Sequence, residues 1–289
     1  MPELPEVETV KRGLEPVLLG RSIEKVELRR ANLRFPFPKN FAASLTGAVI
    51  THIRRRAKYI LVDLDKGLSL LVHLGMTGRF TVLSPKGSDN LGAFYFEAAA
   101  GDKADGPHDH VVIHLRGGIR LVYSDPRRFG MMDVLQTDKA NEHKLLKDLG
   151  LEPLGNELSA SYLAAKFRGK AAPMKAALLD QSIIAGLGNI YVCEALFRAG
   201  ISPQRKAGAV KPAQLDDLVR HVRDILNEAI LAGGSTLQDF QSTDGTQGSY
   251  QQRFHVYDRE GEPCVKCGAT IKRLVQSGRS SFYCVWCQR

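Results

Sequence analysis

Apolar residues recur at three- and four-residue steps near the start of the chain, at Val7, Val10, Leu14 and Val17. That spacing predicts an amphipathic helix over residues 5–19, and Gly20 is a natural stop. From Ser22 to about Tyr123 the period changes to short β-like runs, among them 49–53, 59–63, 68–72, 111–115 and 119–123. Turn signals at 65–67 and 116–118 separate some of them. The pattern predicts a β-sandwich with the N-terminal helix lying against it. Residues 84–108, rich in Gly, Ala, Asp and Lys, read as a surface loop without an assigned function.

The strand pattern ends near residue 137. Residues 138–158 read as a linker that opens with a short helix, and the chain then reads as helical to about residue 240. Ser159 is placed to cap a helix over 160–167, Pro173 to open another, and Gly188-Asn189 to lead into one ending before Gly200. The clearest helix spans 212–232. Its apolar face is Leu215, Leu218, Val219, Val222, Ile225, Leu226, Ala229 and Ile230, with Pro212 at its start and Gly233-Gly234 at its end. A loop rich in Gly, Ser and Gln (242–252) precedes a cysteine module. The expected division is 1–137, a linker at 138–158, a helical domain at 159–249 and a metal module at 250–289. No internal repeat is visible.

Charge narrows the partners. The 289 residues hold 40 Lys and Arg against 31 Asp and Glu, a formal charge of +9. Such an excess favours a polyanion, although net charge alone does not separate nucleic acid from an anionic membrane. No apolar run is long enough to span a bilayer, and the N-terminus is acidic, so a soluble cytoplasmic protein with no membrane partner is expected. Four of the five cysteines form Cys264-x2-Cys267-x16-Cys284-x2-Cys287. Two such knuckles a hairpin apart predict a four-cysteine site for one zinc ion. Four thiolates leave no open coordination position, so the ion is structural. Cys193 reads as a core residue of a helix.

Chemistry is concentrated in the first ten residues, Met1-Pro-Glu-Leu-Pro-Glu-Val-Glu-Thr-Val10. A methionine before proline is normally trimmed, which leaves Pro2 with a free secondary amine. An α-amino group titrates near pH 8, so part of it is neutral and nucleophilic at physiological pH. Its attack on a sugar C1′ gives an iminium. Glu3 is placed to move protons, and Glu6 suits the positive end of the helix. Without further context the same residues are only a helix lead-in. Other candidates are equally ambiguous alone. Arg279, in Ser277-Gly-Arg-Ser-Ser281, is a turn arginine or a phosphate fork. Lys58, after Arg54-Arg-Arg-Ala57, is a strand end or a phosphate contact. Asn189, behind Gly186-Leu-Gly188, sits at a helix N-terminus suited to phosphate. Met76 and Phe129 read as core residues.

The chain resembles the formamidopyrimidine-DNA glycosylase family, on the opening decapeptide, Arg-Arg-Ala-Lys-Tyr (55–59), His-Leu-Gly-Met-Thr-Gly (73–78), Asp-Pro-Arg-Arg-Phe-Gly (125–130), Gly-Leu-Gly-Asn-Ile-Tyr (186–191) and the four cysteines. These follow the family's order over nearly the whole length. The resemblance implies an α+β multidomain protein: an N-terminal β-sandwich with a flanking helix, a helix–two-turn–helix domain, and a zinc-binding β-hairpin. It implies a monomer that acts on damaged double-stranded DNA, removing oxidised purines and cutting the strand by β,δ-elimination. Pro2 would be the nucleophile, Glu3 the proton shuttle and Glu6 its support. Lys58, Asn189 and Arg279 would hold phosphates, with Lys58 and Arg279 also serving the catalytic site. Met76, Arg127 and Phe129 would fill the space left by an extruded nucleotide. His73 and Lys175 are matched by position as further DNA-binding residues. The alternatives are the related endonuclease VIII branch, which favours oxidised pyrimidines, and a non-catalytic zinc-ribbon DNA-binding protein.

Overall fold

A computed structural model describes residues 2–84, 106–235 and 248–289. Most of the predicted loop at 84–108, and residues 242–247 of the loop before the cysteine module, lie outside the described residues. The chain divides into two compact units, Met1–Lys147 with Gly233–Gly248, and Asp148–Ala232 with Ser249–Arg289.

In the first unit, α1 (Leu4–Leu18) is followed by β1 (Ile23–Leu28), a short α2 (Phe41–Leu45), β2 (Ile50–Arg56), β3 (Tyr59–Leu64), β4 (Leu68–His73) and β5 (Arg79–Leu83). Then come β6 (Asp109–Leu115), β7 (Ile119–Ser124) and β8 (Met131–Gln136). The strands form two four-stranded antiparallel sheets, ordered β1-β6-β7-β5 and β2-β3-β4-β8. Side chains two apart on a strand point to one face. Ile60, Val62 and Leu64 of β3 therefore join Val111, Ile113 and Leu115 of β6 in one core. Val7, Val10, Leu14 and Val17 of α1 enter the same core, each at most 2% exposed. The helix-on-sandwich architecture is the expected one.

The second unit holds α3 (Ala160–Phe167), α4 (Met174–Leu179), α5 (Asn189–Arg198), α6 (Pro212–Leu231) and the hairpin β9 (Lys272–Gln276) and β10 (Arg279–Tyr283). Ser159 caps α3 as predicted, its Oγ accepting from Tyr162 N at 3.2 Å. All eight residues of the predicted α6 face are buried. The cysteine hairpin is too small for a core of its own. Its Ile271 and Phe282 pack with Cys193 and Phe197 of α5, which places Cys193 in a core as expected.

Two expectations change. The short helix in 138–158 is a single 3₁₀ turn, Ala140–Glu142. The end of the predicted 242–252 loop is also a 3₁₀ turn, Tyr250–Arg253. Tyr250 is fully buried, with ring contacts to Tyr191 and Phe254 at 5.9 Å each. One aromatic anchor thus pulls in a segment whose composition is that of a loop.

Candidate active site and nucleic-acid interface

A chain terminus normally frays. Here Pro2 and Glu3 are buried, and Glu3 is the N-cap of α1. The Glu3 backbone N donates to Glu6 Oε2 at 2.9 Å. The other oxygen of Glu6, Oε1, accepts from Ser235 N at 2.8 Å and from Ser235 Oγ at 3.0 Å. Glu6 therefore ties the first residues of the chain to a segment more than two hundred positions on. Gly234, at φ +82°, lets that backbone come close, since a Cβ there would lie 3.0 Å from Glu6 Oε1. Two carboxylates, Glu3 and Glu6, thus stand at the positive end of α1 beside Pro2.

Lys58 sits in the tight turn between β2 and β3, where Arg56 pairs with Tyr59. It is 8% exposed. Tyr59 in turn pairs with His73 of β4, their rings 4.9 Å apart. His73 Nδ1 accepts from Gly75 N at 3.0 Å, which leaves the ring proton on Nε2. Burial pulls the His73 pKa from 6.5 down to about 4, with the charges of Lys58 and Arg34 adding to the effect. The ring is neutral at physiological pH and Nε2–H is a donor. Between pH 6.5 and about 4 the unfolded chain binds a proton that the folded chain refuses, so His73 lowers stability as pH falls through that window. Thermal unfolding followed against pH is expected to show this loss, and His73→Gln to remove that part of it. A ring titration near 6.5 in the folded protein would contradict the assignment.

Met76 and the Arg127–Phe129 segment lie on two turns that share one buried carboxylate. Asp125 Oδ1 accepts from Thr77 Oγ1 at 2.5 Å, and Asp125 Oδ2 accepts from Gly130 N at 2.8 Å. Thr77 Oγ1 also accepts from Arg127 N at 3.2 Å. Burial, with Asp125 adding, pushes the Tyr123 phenol well above its usual pKa, and its hydroxyl stays protonated beside Asp125. The turns touch backbone to backbone: a Cβ on Gly75 would overlap the Phe129–Gly130 peptide. On this base Phe129 is 43% exposed, with the Arg127 guanidinium 4.8 Å from its ring centroid. Phe129 is thus not a core residue, and Met76 is half-buried.

In the second unit Asn189 opens α5 and Arg279 opens β10. The hairpin turn, Ser277-Gly278, has φ +49° and +73°, the two positive values of a tight hairpin. Arg279 is exposed at its edge. Asn189 Nδ2 donates to the Ser280 carbonyl at 3.0 Å, while its Oδ1 is buried with no hydrogen-bond partner among the described residues. Lys175 is fully buried, and its ammonium donates to the same Ser280 carbonyl and to Ser281 Oγ, each at 2.7 Å. It braces the strand that carries Arg279.

The sulfurs of Cys264, Cys267, Cys284 and Cys287 all lie within 4.8 Å of one another, and none is in a disulfide. The separations are 3.9 Å for Cys264–Cys287 and 3.5 Å for Cys267–Cys284. Tetrahedral zinc with Zn–S bonds of about 2.3 Å spaces its sulfurs by about 3.8 Å. The donor set and the spacing both fit one structural zinc, held by all four cysteines.

Family models match three stretches of the chain. They are the formamidopyrimidine-DNA glycosylase N-terminal domain over residues 1–132, the formamidopyrimidine-DNA glycosylase H2TH domain over 149–241, and the zinc finger found in FPG and IleRS over 261–289. A relative from Ruegeria pomeroyi, named formamidopyrimidine-DNA glycosylase, is 55% identical over 291 residues, covering 100% of both chains. The chain belongs to the formamidopyrimidine-DNA glycosylase family. As a member it is a base-excision-repair enzyme, a DNA glycosylase with abasic-site lyase activity. The solved structure of MutM (FPG) from Thermus thermophilus superposes with a TM-score of 0.85 at 37% identity, covering 99% of this chain and 98% of that one. That of wild-type Fpg (MutM) from Lactococcus lactis, in complex with DNA containing N7-benzyl-Fapy-dG, gives 0.87 at 31% identity, with 100% of both chains covered. Among the described residues no helix is long and apolar enough to cross a membrane.

In this glycosylase the predicted residues fall into four local clusters. Pro2, Glu3 and Glu6 form one cluster, Lys58 and His73 a second, Met76, Arg127 and Phe129 a third, and Asn189, Lys175 and Arg279 a fourth. The sequence reading missed Ser235, Thr77, Asp125 and Gln181. Gln181 accepts from Gly186 N at 2.9 Å and donates to the Leu187 carbonyl at 2.8 Å, which shapes the approach to Asn189. Asp125 opens the stretch Asp-Pro-Arg-Arg-Phe-Gly (125–130). An aspartate directly before Pro126 in a turn that ends at Gly130 was the available signal.

Proposed function

We propose that the chain excises 8-oxoguanine and formamidopyrimidines from duplex DNA through Pro2, acting as a monomer in the cytoplasm. The observation that carries this reading is the pinned N-terminus, in which Glu6 holds Glu3 N on one side and Ser235 on the other. With Met1 removed, the Pro2 nitrogen attacks C1′ of an extruded nucleotide. The C1′–N bond breaks, and its electron pair leaves with the base, which takes a proton. Pro2 then gives up its proton, the C1′–O4′ bond breaks as the nitrogen lone pair forms the C1′=N iminium, O4′ takes a proton, and the iminium acidifies the sugar C2′–H. Glu3 moves the protons, β-elimination cuts the 3′ side and δ-elimination the 5′ side. Extrusion comes first and costs about 2–4 kcal/mol, which the groups that occupy the hole must offset. Exposed Phe129, with Arg127 against its ring and Met76 nearby, suits that task. Lys58, His73, Asn189 and Arg279 position the backbone, and Lys175 acts through the hairpin.

Two variants separate these roles. Phe129→Ala is expected to lose lesion-specific single-turnover activity while keeping affinity for undamaged duplex, with partial rescue on a pre-formed abasic site. Arg279→Ala is expected to weaken binding to all duplexes and to lower the salt slope by about one unit. The same pattern from both variants in titrations over a salt series would reject the division.

A further inference from the structure

Arg55, three positions before Lys58, is turned inward. Its Nε donates to Glu8 Oε2 at 2.9 Å, and its Nη1 donates to the Ala57 carbonyl at 2.9 Å. The side chains of Arg55 and Glu8 are only 11% and 15% exposed. Glu8 Oε1 accepts from Arg12 Nε at 2.9 Å, so both carboxylate oxygens are engaged. Partial burial pushes the Glu8 carboxyl up, but the hydrogen bonds from Arg12 and Arg55 outweigh it and hold Glu8 below the usual carboxylate range. The carbonyl that Arg55 grips belongs to a turn in need of a hold. Ala57 has φ +52°, a left-handed conformation that a residue with a Cβ disfavours. Lys58 follows directly. Glu8 in turn stands on α1 little more than one helical turn beyond Glu3 and two residues beyond Glu6.

We propose that the Glu8–Arg55 pair is a positioning clamp, which fixes the Lys58 ammonium relative to the Pro2–Glu3 end of α1 so that a strand phosphate and the C1′ under attack are met together. The clamp rests on the reading of Lys58 as a phosphate contact. Only a guanidinium has separate donors for a carboxylate and a carbonyl held in one rigid plane; a lysine ammonium is a single point on a flexible stem. Arg55 is a positioning residue here, with its donors turned to protein.

The test uses the full chain, a duplex bearing a tetrahydrofuran abasic analogue for binding over a salt series, and an 8-oxoguanine duplex for single-turnover rates. The variants are Lys58→Ala, Arg55→Lys and Glu8→Gln, and each of the last two combined with Lys58→Ala. Lys58→Ala is expected to lower the salt slope by about one unit. Arg55→Lys and Glu8→Gln are expected to lower it towards the same value and to slow excision, yet to change nothing further once Lys58 is gone. Signs distinguish the clamp from a direct DNA contact by Arg55. Arg55→Lys keeps the charge and would preserve such a contact. Glu8→Gln removes a negative charge and would tighten binding if only net charge mattered, whereas loss of the clamp weakens it. An unchanged slope in folded Glu8→Gln, or losses that add to that of Lys58→Ala, would overturn the clamp. An unchanged slope in Lys58→Ala itself would instead overturn the phosphate role of Lys58. Thermal unfolding of each variant confirms that folded protein is compared, and Glu8→Gln, nearly isosteric, decides the matter if Arg55→Lys does not fold.

Discussion

Borohydride reduction of the protein on a duplex containing 8-oxoguanine is expected to leave the DNA bonded to Pro2. Imine chemistry requires a free amine, and the Pro2 nitrogen has one only when no residue precedes it. Protein that retains Met1, or carries any N-terminal extension, has an amide at that position and is expected to lose turnover by more than about 10³-fold, because the covalent route is closed. Its affinity for an abasic-analogue duplex should fall far less, since phosphate contacts supply most binding free energy. Glu6→Gln is the companion variant. Glu6 accepts from Glu3 N and from Ser235. An amide offers one accepting oxygen where the carboxylate offers two, so the variant must release one side of the bridge. It should trap slowly but still at Pro2. Mapping the adduct to an internal lysine would refute the nucleophile assignment.

Removing zinc is expected to have the second-largest effect. Structural zinc in a small ribbon contributes about 10–16 kcal/mol of apparent free energy, far more than the few apolar contacts of a hairpin. Here those contacts are Ile271 and Phe282 against Phe197 and Cys193. Chelation, or Cys267→Ser, should release the hairpin and with it Arg279 and the Ser280 carbonyl that Lys175 and Asn189 grip. Binding to any duplex should weaken by more than about a hundredfold, given the loss of several phosphate contacts. The β-sandwich has its own core in the other unit and should keep its thermal transition. A zinc-free protein with unaltered affinity would rule this out.

Hydrophobic period made much of this fold readable. It records which face of an element meets water, and so it located α1, five of the strands and the whole buried face of α6. Cysteine spacing placed the metal site because coordination geometry leaves few alternatives. What stayed hidden was pairing at long range. Glu6 and Ser235 are 229 positions apart, and Thr77 and Asp125 are 48 apart. No local pattern encodes a hydrogen bond between two such polar side chains. Lys175 was matched by position as a DNA contact, but its bracing role was unreadable for a different reason. A lysine is ordinarily a surface residue, and only its three-dimensional setting shows the ammonium spent on a carbonyl and a hydroxyl. The turn at Tyr250 was masked by composition, since one aromatic among Gly, Ser and Gln carries little periodic signal.

The buried carboxylate of Asp125 separates scaffold from payload. The two turns it joins are fixed by a hydroxyl, a backbone N–H and glycines that allow close approach. None of those groups belongs to Met76, Arg127 or Phe129 as side chains. The three side chains can therefore be exchanged without disturbing the platform beneath them. A library randomised at 76, 127 and 129, with Gly75, Thr77, Gly78, Asp125 and Gly130 kept constant, should yield proteins that are mostly folded by thermal unfolding and that differ in single-turnover rate on lesion duplex far more than in affinity for undamaged duplex. Under the wedge role proposed for the three side chains, this corner of the molecule is where base extrusion can be re-tuned while the fold is left alone.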